Sequence, residues 1–128
     1  MEKINEATDA IAKQIVDAAY AINSTLGPGL LESVYESCLE YELKERGIPT
    51  ARQVALPVIY KNHRVDAGLR LDLLVADRVV VELKAVESLT AVHTAQVLTY
   101  LKLTGLRLGF LINFNVALIK DGIKRIAS

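Results

Sequence analysis

Val79-Val-Val-Glu-Leu-Lys84 constrains this chain more than any other stretch of it. Side chains alternate between the two faces of a strand, so a strand that is apolar at both odd and even positions must be covered on both sides. Such a strand belongs at the centre of a sheet with helices above and below. The rest of the chain supplies them. Residues 4 to 23 set Ile4, Ala7, Ile11, Ile15, Ala18, Ala19 and Ile22 three or four apart, the spacing of an amphipathic helix. Leu-Gly-Pro-Gly at 26 to 29 ends it. A second helix is predicted from there to about Arg46, with Leu31, Val34, Tyr35, Cys38, Leu39 and Leu43 as its stripe and Gly47 and Pro49 as its stop.

The period then shortens to two. From Arg52 onward Val54, Leu56, Val58 and Tyr60 alternate as a strand, Lys61 to Arg64 turns, and a strand from about Val65 to Val75 passes through Ala76-Asp77-Arg78 into the central strand. A helix from about Thr90 to Thr104, closed by Gly105, leads to strands at 107 to 113, 116 to 120 and 123 to 126, with Asp121-Gly122 as a hairpin turn. The predicted order is ααβββαβββ, an α/β arrangement in which residues 79 to 113 make a right-handed parallel crossover.

A chain of 128 residues with 52% hydrophobic and 23% charged side chains fits one globular domain spanning residues 1 to 128. The opening Met-Glu-Lys-Ile-Asn-Glu lacks an apolar signal core and no run approaches a membrane span, so a cytoplasmic protein without membrane contact is expected. The single cysteine, Cys38, excludes an internal disulfide and a multi-cysteine zinc site, and its apolar neighbours favour a packing role. Net charge is +0, yet residues 1 to 50 carry 4 basic and 9 acidic side chains and residues 51 to 128 carry 11 and 6. That polarity permits a phosphate-binding face and equally fits a mixed solvated surface.

Three charges stand out against this background. Glu82 and Lys84 are two apart and so share a face of the central strand, and Asp72 lies on the strand before it, where alternation groups Arg70, Asp72 and Leu74. Buried carboxylates beside a lysine are costly unless they pair with one another or bind a metal, so a structural ion pair and a catalytic site are both open. On the following helix His93, Gln96 and Tyr100 fall at i, i+3 and i+7 and line one face, where an amide and a phenol could donate to phosphate oxygens. His93 could as readily be a half-exposed helix residue. Glu32 either stabilises the first turn of its helix or serves as a third acidic ligand. Asp72 and Glu82, with Glu32 as a candidate third, form the set of hard oxygen donors that Mg²⁺ or Mn²⁺ takes, with Lys84 placed for phosphate charge. No phosphate loop, dinucleotide glycine fingerprint or catalytic serine motif is present.

Asp72 followed by Glu82-Leu-Lys84 resembles the D-(x)n-E-x-K signature of the PD-(D/E)xK nuclease superfamily, and Gln96-Val-Leu-Thr-Tyr100 is similar to the Q-x-x-x-Y motif of its exonuclease-like branch. Gly29-Leu-Leu-Glu32-Ser-Val-Tyr35 and the segment from His93 to Phe114 resemble the GxxExxY family, a small branch of that superfamily. Leu71 stands where the superfamily has a proline. The resemblance implies a restriction-endonuclease-like mixed β-sheet flanked by helices and Mg²⁺-dependent phosphodiester hydrolysis. It implies Glu32, Asp72, Glu82 and Lys84 as the catalytic positions, with Gln96, Tyr100, Tyr35 and His93 in support.

The expectation is a metal-dependent nuclease acting on DNA. The alternative is a binding or accessory module that keeps the fold and engages nucleic acid or a protein without cutting. A homodimer, formed through helix 4 to 23, would give a double-strand cutter its second active site.

Overall fold

The computed structural model describes residues 4 to 128, except the side chain of Ala67. The opening residues 1 to 3, on which part of the leader argument rests, lie outside that range. Helices α1 (Glu6–Leu26) and α2 (Glu32–Glu45) precede the hairpin β1 (Thr50–Tyr60) and β2 (His63–Val75). Then come β3 (Val79–Lys84), α3 (Ala91–Thr104), β4 (Leu108–Asn113) and, after a 3₁₀ turn at Ile119–Asp121, β5 (Ile123–Ala127). The five strands stand in the order β1-β2-β3-β4-β5. β3 and β4 are parallel, Val79 opposite Leu108 through Lys84 opposite Asn113, and the other pairings are antiparallel.

α1 and α3 begin where a side chain takes an orphan N–H, whereas α2 starts at Leu31 with no side-chain cap. Asn5 Oδ1 accepts from Thr8 N at 2.8 Å, and Thr90 and His93 form a reciprocal capping box on α3. α3 ends at Gly105 in the left-handed conformation, φ 74°.

β3 is central, as its sequence requires. Val79, Val81 and Leu83 face α1 and α2 in a large cluster with Ile15, Leu39, Leu43, Phe110 and Phe114. Val80 faces α3 in a smaller one with Val97, Tyr100, Leu101 and Leu111. Gly109 lets α3 sit close, since a Cβ there would stand 2.8 Å from Val97 Cγ1 and 3.3 Å from the Val80 carbonyl.

Three expectations are corrected. Residues 116 to 120 form a loop and the 3₁₀ turn, so the sheet has no strand there. Ile119 is buried in the core and Val116 packs against it, Leu118 is exposed, and the Asn23 side chain on α1 donates to the Val116 carbonyl at 3.2 Å, replacing a ladder bond. Asp121-Gly122 accordingly closes the turn into β5 instead of making a two-residue hairpin. The apolar stripe of α1 is not a spare dimerisation face either, because Ala12, Ile15, Ala18, Ala19 and Ile22 are buried in the chain's own core.

Candidate active site

β2 and β3 stay paired only from Val75 opposite Val79 to Leu73 opposite Val81. Beyond that point the ladder stops, and the next residues on the two strands are Asp72 and Glu82. Glu82 Oε2 accepts from Asp72 N at 3.2 Å, and Asp72 Oδ2 accepts from Leu83 N at 2.9 Å. Two carboxylates thus take over the N–H groups that strand carbonyls would have satisfied, and they sit in the fork where the strands part.

On its other side Asp72 faces a second irregularity. β1 pairs with β2 at Arg52–Leu73 and at Val54–Leu71, but the intervening Gln53 and Asp72 make no ladder pair, and Gln53 has φ 51°. The faces exchange there. Leu73 and Val75 pack in the α1/α2 cluster, whereas Leu71 and Leu69 pack on the α3 side with Leu74. Strict alternation, which grouped Arg70, Asp72 and Leu74, therefore fails at Asp72, and bulged or strained residues of this kind are common beside sites.

The strain at Gln53 is held from α2. Its amide donates to Glu36 Oε1 at 2.8 Å, Arg52 Nε approaches the same oxygen at 3.4 Å, and Glu36 is 7% exposed. Neither Gln53 nor Glu36 stood out in the sequence. The available signal was Glu36, a carboxylate on the buried stripe of an amphipathic helix beside Tyr35 and Leu39. Asn113, also missed, ties the segment after Lys84 to the end of β4 through Val86 N at 3.1 Å and Val86 O at 2.9 Å.

The electrostatics of the pair are unusual. Glu82 is 3% exposed, and burial, then hydrogen bonding and repulsion from Asp72, push its carboxyl up to about 10, against a smaller pull from Lys84. That favours the protonated form of Glu82 at neutral pH. Lys84 is half-buried and makes no salt bridge with either carboxylate, so the structural ion pair that the sequence left open is not formed among the described residues. A divalent cation would displace the proton favoured on Glu82, and two carboxylates plus waters and a phosphate oxygen satisfy its oxygen shell. The donor set fits.

α3 brings Tyr100 onto the same side of the sheet. Its hydroxyl is pushed up by burial and by the charges of Glu82 and Asp72, against a lowering influence of the neighbouring Gln96 side chain. Gln96 itself is exposed. His93 does not join them, because its Nδ1 accepts from Thr90 N at 3.1 Å and closes the start of the helix.

Glu32 and Tyr35 belong to the other layer. Tyr35 is buried, stacks on Phe114 at 4.7 Å, donates to Gly27 O at 2.6 Å and accepts from Leu30 N at 3.1 Å, clamping the glycine loop that starts α2. Glu32 is exposed in the first turn of α2. Among the described residues no group of three His, Cys, Asp or Glu side chains can hold a metal. The fold brings Asp72 and Glu82 together, while Glu32 stands on α2, which covers the face of β3 opposite to Glu82. Glu32 is one turn before Tyr35, which stacks on Phe114, and Phe114 N donates to Lys84 O at 2.9 Å.

The sequence profile of the PD-(D/E)XK nuclease superfamily matches residues 9 to 126. No curated protein and no solved structure matches the chain.

Proposed function

The chain belongs to the PD-(D/E)XK nuclease superfamily, and we propose that it is a metal-dependent phosphodiester hydrolase whose substrate is DNA and whose single domain works in the cytoplasm. The observation that carries this reading is geometric: two carboxylates, Asp72 and Glu82, sit in the fork where β2 and β3 part, each accepting from a strand N–H, with no salt bridge from Lys84 to either among the described residues.

Asp72 and Glu82 would hold Mg²⁺ or Mn²⁺. When bound, the ion supplies a water of lowered pKa and polarises the scissile phosphate. Lys84, two residues beyond Glu82 and unpaired with either carboxylate, supplies positive charge where a pentavalent phosphorus gathers negative charge. Gln96 and Tyr100 offer an amide and a hydroxyl to phosphate oxygens from α3. Tyr35 and His93 support indirectly, by fixing the starts of α2 and α3. Glu32 is an outer carboxylate on α2, suited to a water of the ion's shell. Cutting both strands of a duplex would call for two copies of the chain.

Purified protein incubated with linear and supercoiled DNA in Mg²⁺ or Mn²⁺ tests this reading. Cleavage that EDTA stops and that Glu82→Gln and Lys84→Ala abolish is expected. Persistence in both variants would refute this site as the source of cleavage, and binding with no cleavage in any divalent ion would leave a nucleic-acid or protein-binding module on a nuclease fold.

A further inference from the structure

The β1–β2 hairpin outlasts the sheet. From Asp72 outward β2 has no partner on its β3 side, yet it stays paired with β1 to Tyr60 opposite His63. At about 3.3 Å per residue, the stretch from Asp72 to His63 reaches roughly 30 Å. Its turn, Lys61-Asn62 with φ 47° and 68°, has the two left-handed residues of a type I′ hairpin.

Half way along, the arm is notched. Leu56 pairs with Leu69 and Val58 with Val65, so Pro57 alone on β1 faces residues 66 to 68 on β2. Pro57 has no N–H to give the ladder, and Gly68 takes φ 75° to absorb the extra residues. The bulge opens a hollow of about 160 Å³, and Arg64 and Arg70 both line it. Asp66 is on the same rim, 2.8 Å from Arg64, in a pair exposed enough to be worth little in water.

We propose that this notch is a binding site for backbone phosphate of the nucleic acid, one that anchors the chain on the side of the catalytic pair away from β3. It rests on the nuclease reading above. The two guanidiniums offer planar donor forks to phosphate oxygens. Arg70 lies two residues, about 7 Å of strand, from Asp72. Phosphates recur every 3.4 Å or so along the axis for each strand of a duplex, so a chain with one phosphate at Asp72 has others beside the arm. At the tip the Lys61 ammonium lies over the exposed Tyr60 ring at 5.6 Å and extends the basic track.

Fluorescence anisotropy with a labelled duplex in EDTA, over a salt series, tests the site in the full chain. Arg64→Ala combined with Arg70→Ala is expected to weaken binding about tenfold at moderate salt, and to flatten the log–log salt dependence by about 1.8 for two lost phosphate contacts. Asp66→Asn, which removes the competing carboxylate, is expected to tighten binding several-fold. Hydrolysis of bis(p-nitrophenyl) phosphate, too small to reach the arm, should be unchanged in all three proteins, and matching circular dichroism melts establish that they fold alike.

Duplex affinity unchanged in the double variant overturns the site. So does absence of duplex binding by the unaltered protein, or a double variant whose only change is in self-association by sedimentation. Duplex binding that depends on Arg64 and Arg70 in a protein that hydrolyses neither substrate upholds the site and sinks the cleavage reading alone.

Discussion

The two faces of the sheet carry different loads. Toward α1 and α2 the described residues bury nineteen apolar side chains in one cluster, closed by the Tyr35–Phe114 stack, and toward α3 they bury seven. Most of the hydrophobic stabilisation therefore lies on the first face. The second carries the carboxyl pair, the raised Glu82 and Tyr100. A thinly covered face tolerates a strained site with a buried, raised carboxyl because its stability is supplied from across the sheet.

The largest effect should come from the α3 face and appear in rate. Glu82→Gln is expected to lower metal-dependent cleavage by at least about 10³-fold, since one of two cation ligands is lost, while the thermal midpoint of the metal-free protein stays level or rises. A variant that unfolds would shift the pair from the catalytic to the structural account.

Phe114→Ala should do the opposite. It removes the ring stacked on Tyr35 and is expected to cost about 3–4 kcal/mol in denaturant unfolding, with cleavage per folded molecule retained.

The next effect is in pH. Glu82 is raised in the folded protein relative to an unfolded glutamate near 4.3, so its contribution to stability is fully present below that value and is lost as pH rises toward about 10. The difference in unfolding free energy between the unaltered protein and Glu82→Gln should therefore move in the variant's favour between about pH 5 and pH 9. A flat difference would show that Glu82 ionises normally. Cation affinity runs the other way, because the ion displaces the proton, and calorimetry at pH 7 in two buffers should detect about one proton released on Mn²⁺ binding.

A smaller effect distinguishes packing from chemistry on the α3 face itself. Gly109→Ala places a methyl against Val97 and the Val80 carbonyl, and by lifting α3 it should cost about 1–3 kcal/mol. Cleavage should fall several-fold with it, as Gln96 and Tyr100 move away from the pair. Gln96→Ala, which moves nothing, should lower cleavage only a few-fold and leave the unfolding midpoint unchanged.

Much of this asymmetry was legible in the sequence. The apolar run 79 to 84 demanded two helical layers, and the 3.6-residue periodicities of α1 and α2 and the glycine stops marked where they lay. Asp72, Glu82, Gln96 and Tyr100 converge because strand neighbours and a crossover helix bring them to one side. What could not be read is the departure from regularity. Alternation alone puts Asp72 in line with Arg70 and Leu74, and only the exchange of faces at Gln53 shows otherwise. The alternating Val116, Leu118 and Lys120 imitate a strand, because a period of two does not reveal that Asn23 will claim the Val116 carbonyl. Glu32 has the spacing of a motif residue, but spacing within a helix is blind to which layer the helix joins.

Anomalous diffraction from crystals soaked in Mn²⁺ addresses the pair most directly. One peak bridging the carboxylates of Asp72 and Glu82, absent in Glu82→Gln crystals treated identically, is the expected result. No peak at the pair, or a peak that survives that substitution, would contradict a cation site in the fork between β2 and β3.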